Sequence, residues 1–478
     1  MWRAKLAGEY KRESNGVGSL FLVPVTRPRK FCGASRHEKK TPDPWAMHIA
    51  IITAGGAGMF CGSCMHDNTW ARALMAQGAE VSLIPTYTPI RVDEDNVSGS
   101  RVFFGGINVY LASQWRWWRA VPSFLKHWLD HPAIIRWATS KAVSNDAKQL
   151  GQLTLDMLAG ESGPQREQVE ELAKFIGEQL RPDVVVFSNA LLAGAVRRIK
   201  QLFTGPVLCV LQGDDIFLDG LPDSHREQVM SALRERAKDF DGFITHSRYY
   251  AEHMATELAV PLDRFHQLPL GIDLTGHDGQ PRPAGDPFTI GYFARLCPEK
   301  GLHLLFDAFA RFHAIHPRTR LLVGGYLGER DEPFFHELVA RVRLMRRTIA
   351  VALHVDTHAQ KVAFFKSLDV FSVPTIYREP KGLSVLEALA NGVPVVQPAH
   401  GAFPELLEAT QGGLLFEPGN LDDLVAKWES LLRNPDARQR LAITGQAKVR
   451  ESYSSQAMAE QTLQLFDSMT RRPETAHP

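Results

Sequence analysis

YREPKGLSVLEALANGVP, Tyr377 to Pro394, places two glutamates seven residues apart, Glu379 and Glu387. Pro380 resists helix at the residue before it, and Gly382 frees the backbone for a sharp turn. A helix is predicted from near Leu383 to the stop signal Asn391-Gly392. Glu379 then stands in the approach loop and Glu387 about one turn inside. The amides around Gly382, Leu383 and Ser384 have no intrahelical acceptor and carry the positive end of the helix dipole, a site for phosphate. Carboxylates beside it can accept hydrogen bonds from sugar hydroxyls. A solvated amphipathic helix accounts for an isolated Glu pair equally well, because spacing alone is weak information.

Two cations answer the carboxylates. Arg295 and Lys300 lie in FARLCPEKG (Phe293 to Gly301), directly after the apolar run FTIGYFA. At the carboxyl end of a strand, two cations can clamp a pyrophosphate. Exposed loop charge is the plain alternative.

Outward from this point the chain alternates short apolar runs with helical stretches. After the motif come VPVVQ and GLLFEPG; before it come RLLVGG, VALHVD and DVFSVPT. The polar, proline- and glycine-rich stretch 276–287 interrupts the pattern and reads as a linker. Ahead of it HIAIITA, EVSLIPT, VVVFSN, PVLCVLQ and GFITHS repeat the alternation. Such alternation predicts parallel sheets covered by helices on both faces. We expect an α/β protein of two doubly wound, Rossmann-like domains facing a cleft, 47–275 and 288–455, with a helix and tail over 456–478. Ligands of such sheets sit beyond the carboxyl ends of the strands.

The 478 residues suit two domains rather than one. The net charge of +1 gives no global attraction to nucleic acid. Five cysteines in this length are no disulfide scaffold and fit a reducing cytoplasm. No apolar run approaches a membrane-spanning length. The first forty residues carry ten Lys and Arg against three Glu, with little periodicity. Residues 1–46 therefore read as a disordered basic arm, with Met47 the alternative start of the translated chain. From Gln114 to Ala138 five tryptophans mix with four basic residues. That composition suits a peripheral contact at the inner membrane face, stacking on sugar rings, or a lid. A helical insertion near 112–162 packing its own small core fits it as well.

GGAGMFCGSCMHDN, Gly55 to Asn68, follows the first strand. Its glycines, Gly56 and Gly58 among them, would let backbone approach donor phosphates or an acceptor. Cys61 and Cys64 admit three readings: a redox pair at a helix start, part of a zinc site short of ligands, or small residues in a crowded turn. The last is the one we favour. His66 is left to face an acceptor.

The second half resembles the family-4 retaining glycosyltransferases of the GT-B fold, glycogen synthase among them. The likeness rests on EPKGLSVLEALANGVPVV, on Arg295 and Lys300, on SLDVFSVPT, and more loosely on THSRYYAEHM and LPLGIDL. It implies transfer of a sugar, with retention, from a nucleoside diphosphate sugar to a glycan, lipid or small-molecule acceptor, without metal or other cofactor. It implies that Glu379 contacts the transferred sugar, Glu387 the ribose, and Arg295 and Lys300 the leaving diphosphate. The chain departs from the family at Gln212. Many relatives carry histidine there, whereas LQGDDIFLDG offers Asp214 and Asp215, either acceptor-facing or capping a helix. A phosphorylase-like enzyme, a non-catalytic nucleotide-sugar-binding protein and a Cys-x-x-Cys redox or metal protein are the other expectations.

Overall fold

Strands that are apolar on both sides need cover on both faces, which crossover helices supply to a parallel sheet. The computed structural model describes residues 47–55, 61–99, 102–103, 147–283, 285, 287–342, 345, 347–353, 355 and 357–471. The arm 1–46, Gly56, Gly58 and the tryptophan-rich stretch 114–138 lie outside the described residues. Strands β1 (His48–Thr53), β2 (Glu80–Pro85), β3 (Val184–Phe187), β4 (Val207–Val210), β5 (Gly242–Thr245) and β6 (Phe265–Gln267) form one sheet. Strands β7 (Phe288–Phe293), β8 (Thr319–Gly324), β9 (Ile349–Ala352), β10 (Val370–Phe371), β11 (Val395–Pro398) and β12 (Gly413–Phe416) form the other.

The first sheet runs β2-β1-β3-β4-β5-β6 and the second β12-β11-β10-β7-β8-β9. All neighbours are parallel. The strand order reverses between β1 and β3, and again between β7 and β10. At such reversals the crossovers leave on opposite faces and open a crevice above the strand ends. The loop after β7 carries Arg295 and Lys300, and the loop after β10 leads to Glu379. Both halves of the predicted motif therefore meet at one crevice.

Alternation along β1 feeds both faces of the first sheet. Ala50 and Ile52 pack with Phe187 and Phe243 on one side. Ile49 and Ile51 pack with Trp70 and Leu74 on the other. The second sheet is buried around Phe288, Ile290, Phe306, Phe309 and Phe312.

The last helix, Ser455–Thr470, returns to the first sheet. Its Met458, Leu463 and Phe466 complete the core around Trp70. The Trp70 indole donates to Thr462 Oγ1 at 2.9 Å. The outgoing and returning segments are stitched together where they pass: Ile272 N donates to Tyr453 O at 2.9 Å and Ser455 N to Ile272 O at 2.8 Å. The described part of 276–287 is packed onto the second domain rather than hanging between domains. His277 is buried, Asn391 Nδ2 donates to its Nδ1 at 2.6 Å, and Gln446 Nε2 donates to Gly279 O at 2.6 Å. Among the described residues no helix is long and apolar enough to cross a membrane.

Candidate active site

Gly382 takes φ +108°, and the helix Leu383–Ala390 starts from it. A side chain there would be strained by the backbone and would crowd Leu406, whose Cδ2 stands 3.0 Å from an added Cβ. The first intrahelical bonds run from Val385 N and Leu386 N to Gly382 O. The amides of Leu383 and Ser384 precede them, and both residues are half-buried at the crevice. The loop ahead is fixed by Ala402 N donating to Glu379 O at 2.8 Å.

Lys300 Nζ lies 2.5 Å from Glu379 Oε2. The Tyr377 hydroxyl donates to the same oxygen at 2.8 Å, and the Lys300 ammonium sits 4.7 Å from the Tyr377 ring centre. Burial acts to raise the Glu379 carboxyl. The Lys300 charge and the two hydrogen bonds outweigh it, so the group is held below the ordinary range. Arg295 is turned differently. Its Nε is 3.1 Å from Cys297 Sγ and its Nη2 3.6 Å from Glu299 Oε2, and its side chain is 45% exposed. The structure thus brings Lys300 and Glu379 into contact and leaves Arg295 partly exposed, with Glu299 and Asp331 within ion-pair reach.

Glu387 meets a cation that sequence reasoning missed. Lys361, on the helix His358–Lys366, holds Glu387 Oε1 at 2.7 Å and Asp93 Oδ2 of the first domain at 2.7 Å. All three side chains are nearly buried. Burial raises the Glu387 carboxyl despite Lys361. Between the glutamates, Lys381 is a second missed cation. Its Nζ donates to Gln212 Oε1 at 2.9 Å. Gln212 Nε2 in turn donates to Asp67 Oδ1 at 2.8 Å, and Thr53 Oγ1 donates to Asp67 Oδ2 at 2.7 Å. A lysine only donates and a carboxylate only accepts, so the glutamine's two ends suit its two neighbours. That is what stands where many relatives place histidine: a bridge from the first domain's core to Lys381. Burial presses Lys381 toward its neutral form.

The three residues expected toward the acceptor sit at different depths. His66 is buried against Trp70 and His246, with Nδ1 3.4 Å from Asp67 Oδ1. Asp214 is buried and accepts from Ala190 N at 3.0 Å and Gln212 N at 3.1 Å; burial lifts its carboxyl to about 6. It ties together the loops after β3 and β4. Asp215 is the more open one, accepting from the Tyr250 hydroxyl at 2.7 Å beside His253 Nε2 at 3.4 Å. Both aspartates lie in the first turn of the short helix Asp214–Asp219, whose N-cap is Gly213 with no side-chain cap, so neither caps it and Asp214 turns inward instead.

Known proteins resemble this chain in sequence or share its fold. Residues 277–448 match the family model for glycosyl transferases group 1. The glycogen synthase of Mycobacterium tuberculosis (strain CDC 1551 / Oshkosh) is 28% identical over 308 residues, 62% of this chain and 72% of that protein. The phosphatidyl-myo-inositol mannosyltransferase of Mycobacterium leprae is 28% identical over 211 residues, 42% of this chain and 53% of its own. Among solved structures, sucrose-phosphate synthase from Thermosynechococcus elongatus superposes with a TM-score of 0.66 at 17% identity, covering 88% of this chain and 98% of that one. Anabaena Alr3699/HepE in complex with UDP and glucose gives 0.60 at 16% identity, covering 88% and 100%.

Proposed function

We propose that the chain is a group 1 glycosyl transferase that uses its GT-B fold to move a sugar from a nucleoside diphosphate sugar to an acceptor hydroxyl with retention of configuration. The observation that carries this reading is the Lys300–Glu379 contact at the second sheet's reversal point, beside the free amides of Leu383 and Ser384. In it, the diphosphate lies against those amides with Arg295 and Lys300 on its flanks. Glu379 then takes sugar hydroxyls and Glu387 the ribose. As the glycosidic bond breaks, negative charge grows on the leaving phosphate, and preorganised cations and amides stabilise it without reorganising.

Those side chains can carry that charge, so the reading needs no metal and no cofactor beyond the donor. HepE has been solved with UDP-glucose, which makes uridine diphosphate sugars the first donors to try. The test is release of free nucleoside diphosphate with saturating EDTA present. Proton NMR of the product then reads its anomeric configuration. Inversion at the anomeric carbon overturns retention, and loss of activity with EDTA overturns the metal-free reading.

A further inference from the structure

The carboxylate read above as the ribose contact does not stand alone. Glu387 Oε1 lies 2.7 Å from Lys361 Nζ, and the same ammonium lies 2.7 Å from Asp93 Oδ2, which the first domain supplies. The side chains of Glu387, Lys361 and Asp93 are 12%, 8% and 7% exposed. One cation therefore serves two carboxylates where little water reaches, and the triad keeps a net negative charge. An ionised carboxylate only accepts, and its two oxygens together take several donors. The cluster is short of donors, and the vicinal diol of a ribose offers two.

Each carboxylate is held by its own domain. On the second-domain side, Asn391 Nδ2 donates to Glu387 O at 2.9 Å, and a capping box of Thr357 and Gln360 starts the helix that carries Lys361. On the first-domain side, Glu94 Oε2 accepts from Arg72 Nη1 at 2.7 Å and from Thr69 Oγ1 at 3.0 Å. Asp95 O accepts from Asn68 Nδ2 at 3.0 Å. All three donors belong to the first-domain helix Gly62–Ala76, so the segment that carries Asp93 moves with that domain. Lys361 stands between the two carboxylates, and how its charge divides between them depends on where the first domain lies.

We propose that Asp93 is a positioning residue for donor binding: by drawing Lys361 partly off Glu387, it leaves that carboxylate strong enough as an acceptor to grip ribose hydroxyls once the first domain has closed on the second. The inference rests on the reading of Glu387 as the ribose contact. Without Asp93 the ammonium falls wholly to Glu387 and neutralises it, and each hydroxyl must compete with a bound cation for the acceptor. Linkage makes the effect reciprocal: closure tightens the hold on ribose, and ribose favours closure.

The test uses the full chain and needs no turnover. Isothermal titration calorimetry compares UDP, GDP and ADP with their 2′,3′-dideoxy forms, and inorganic pyrophosphate is the probe without ribose. Wild-type protein should prefer the ribose form of the nucleotide it binds by about 10- to 100-fold, the range of a hydrogen bond to a charged group. Asp93→Ala should lower that preference by about fivefold or more, the lower end of an ordinary coupling between sites, and leave the affinity for pyrophosphate unchanged. The variant keeps Lys361 paired with Glu387, so no buried charge is left alone. Asp93→Asn, which keeps the shape and removes the charge, should move the preference in the same direction. A preference equal to that of wild type in both variants overturns the inference, whatever the melting temperature does. So does an affinity for pyrophosphate that falls by the same factor. Wild-type protein that binds the ribose and dideoxy forms alike, or binds none of the three nucleotides, overturns the ribose reading of Glu387 itself, and the inference with it.

Discussion

On the second-domain side of the crevice, Arg295 keeps its side chain 45% exposed, and Lys300 and Glu379 keep 19% and 12%. On the first-domain side, Asp67, Gln212 and Asp214 are 0%, 7% and 3% exposed. Both sets are polar and both stand at strand ends, yet one is open and the other sealed. A group that is to meet a diphosphate must keep a face toward water until the ligand arrives. A group that fixes loop geometry does best when every polar atom already has its partner. Substitutions on the open side should therefore appear in the rate, and those on the sealed side in stability.

Lys361 breaks this division, as the buried Lys381 does. It belongs to the second domain but is sealed between Glu387 and Asp93. Lys361→Ala leaves two buried carboxylates facing one another and should cost about 3–5 kcal/mol of folding stability. Urea unfolding checks it; an unchanged midpoint would move Lys361 to the open set.

Next in size are Lys300→Ala and Arg295→Ala. Each should lower kcat by about 10²–10³, or about 2.7–4 kcal/mol, and the melting temperature of Arg295→Ala should stay near that of the wild type. Because both act on one group, the double variant should lose less than the sum. A fall in stability that tracks the fall in rate would erase the contrast between the two sides.

Asp214 sharpens the contrast through pH. Its folded pKa of about 6 lies above the unfolded value, about 3.9. The folded state then binds more protons between those values. The contribution is fully present below about pH 4 and is lost as pH rises through about 6, in total about 3 kcal/mol. The stability difference between wild type and Asp214→Asn should follow that slope. A difference that is flat from about pH 4 to 7 contradicts it.

The smallest effect concerns Glu405 of the second domain. Its carboxylate accepts from Arg248 N at 2.9 Å and Tyr249 N at 3.0 Å, at the start of the first-domain helix Arg248–Leu258. Glu405→Ala should cost about 0.5–2 kcal/mol, the range of a lost helix cap. Thermal melts that match the wild type would show the contact adds nothing in solution.

The open side was the legible one. Arg295, Lys300 and Glu379, and with them the nearly buried Glu387, stand in short stretches whose loop, helix start and stop can be read locally. The helix begins at Leu383, its C-cap is Asn391, and Gly392 turns left-handed at φ +69°. The sealed side depends on partners far apart in the chain. Gln212 and Lys381 are 169 residues apart and Asp67 and Gln212 145, so no local pattern pairs them. Strand β6 also escaped, because its Phe265, His266 and Gln267 are partly or fully exposed at the sheet edge and show no apolar alternation.

The returning helix Ser455–Thr470 has a mechanical consequence. The chain passes between the domains twice, and the two passages are bonded side by side at Ile272, Tyr453 and Ser455. Two cross-linked ribbons at one edge act as a hinge pin: they permit rotation about their common line and resist sliding or twisting. Opening about that pin would part the Lys361–Asp93 and Lys381–Gln212 contacts in a single swing. The first domain, for its part, owes a face of its core to the far end of the chain. Cutting the chain at the linker would yield a second domain with a spare helix and a first domain with Trp70 laid bare.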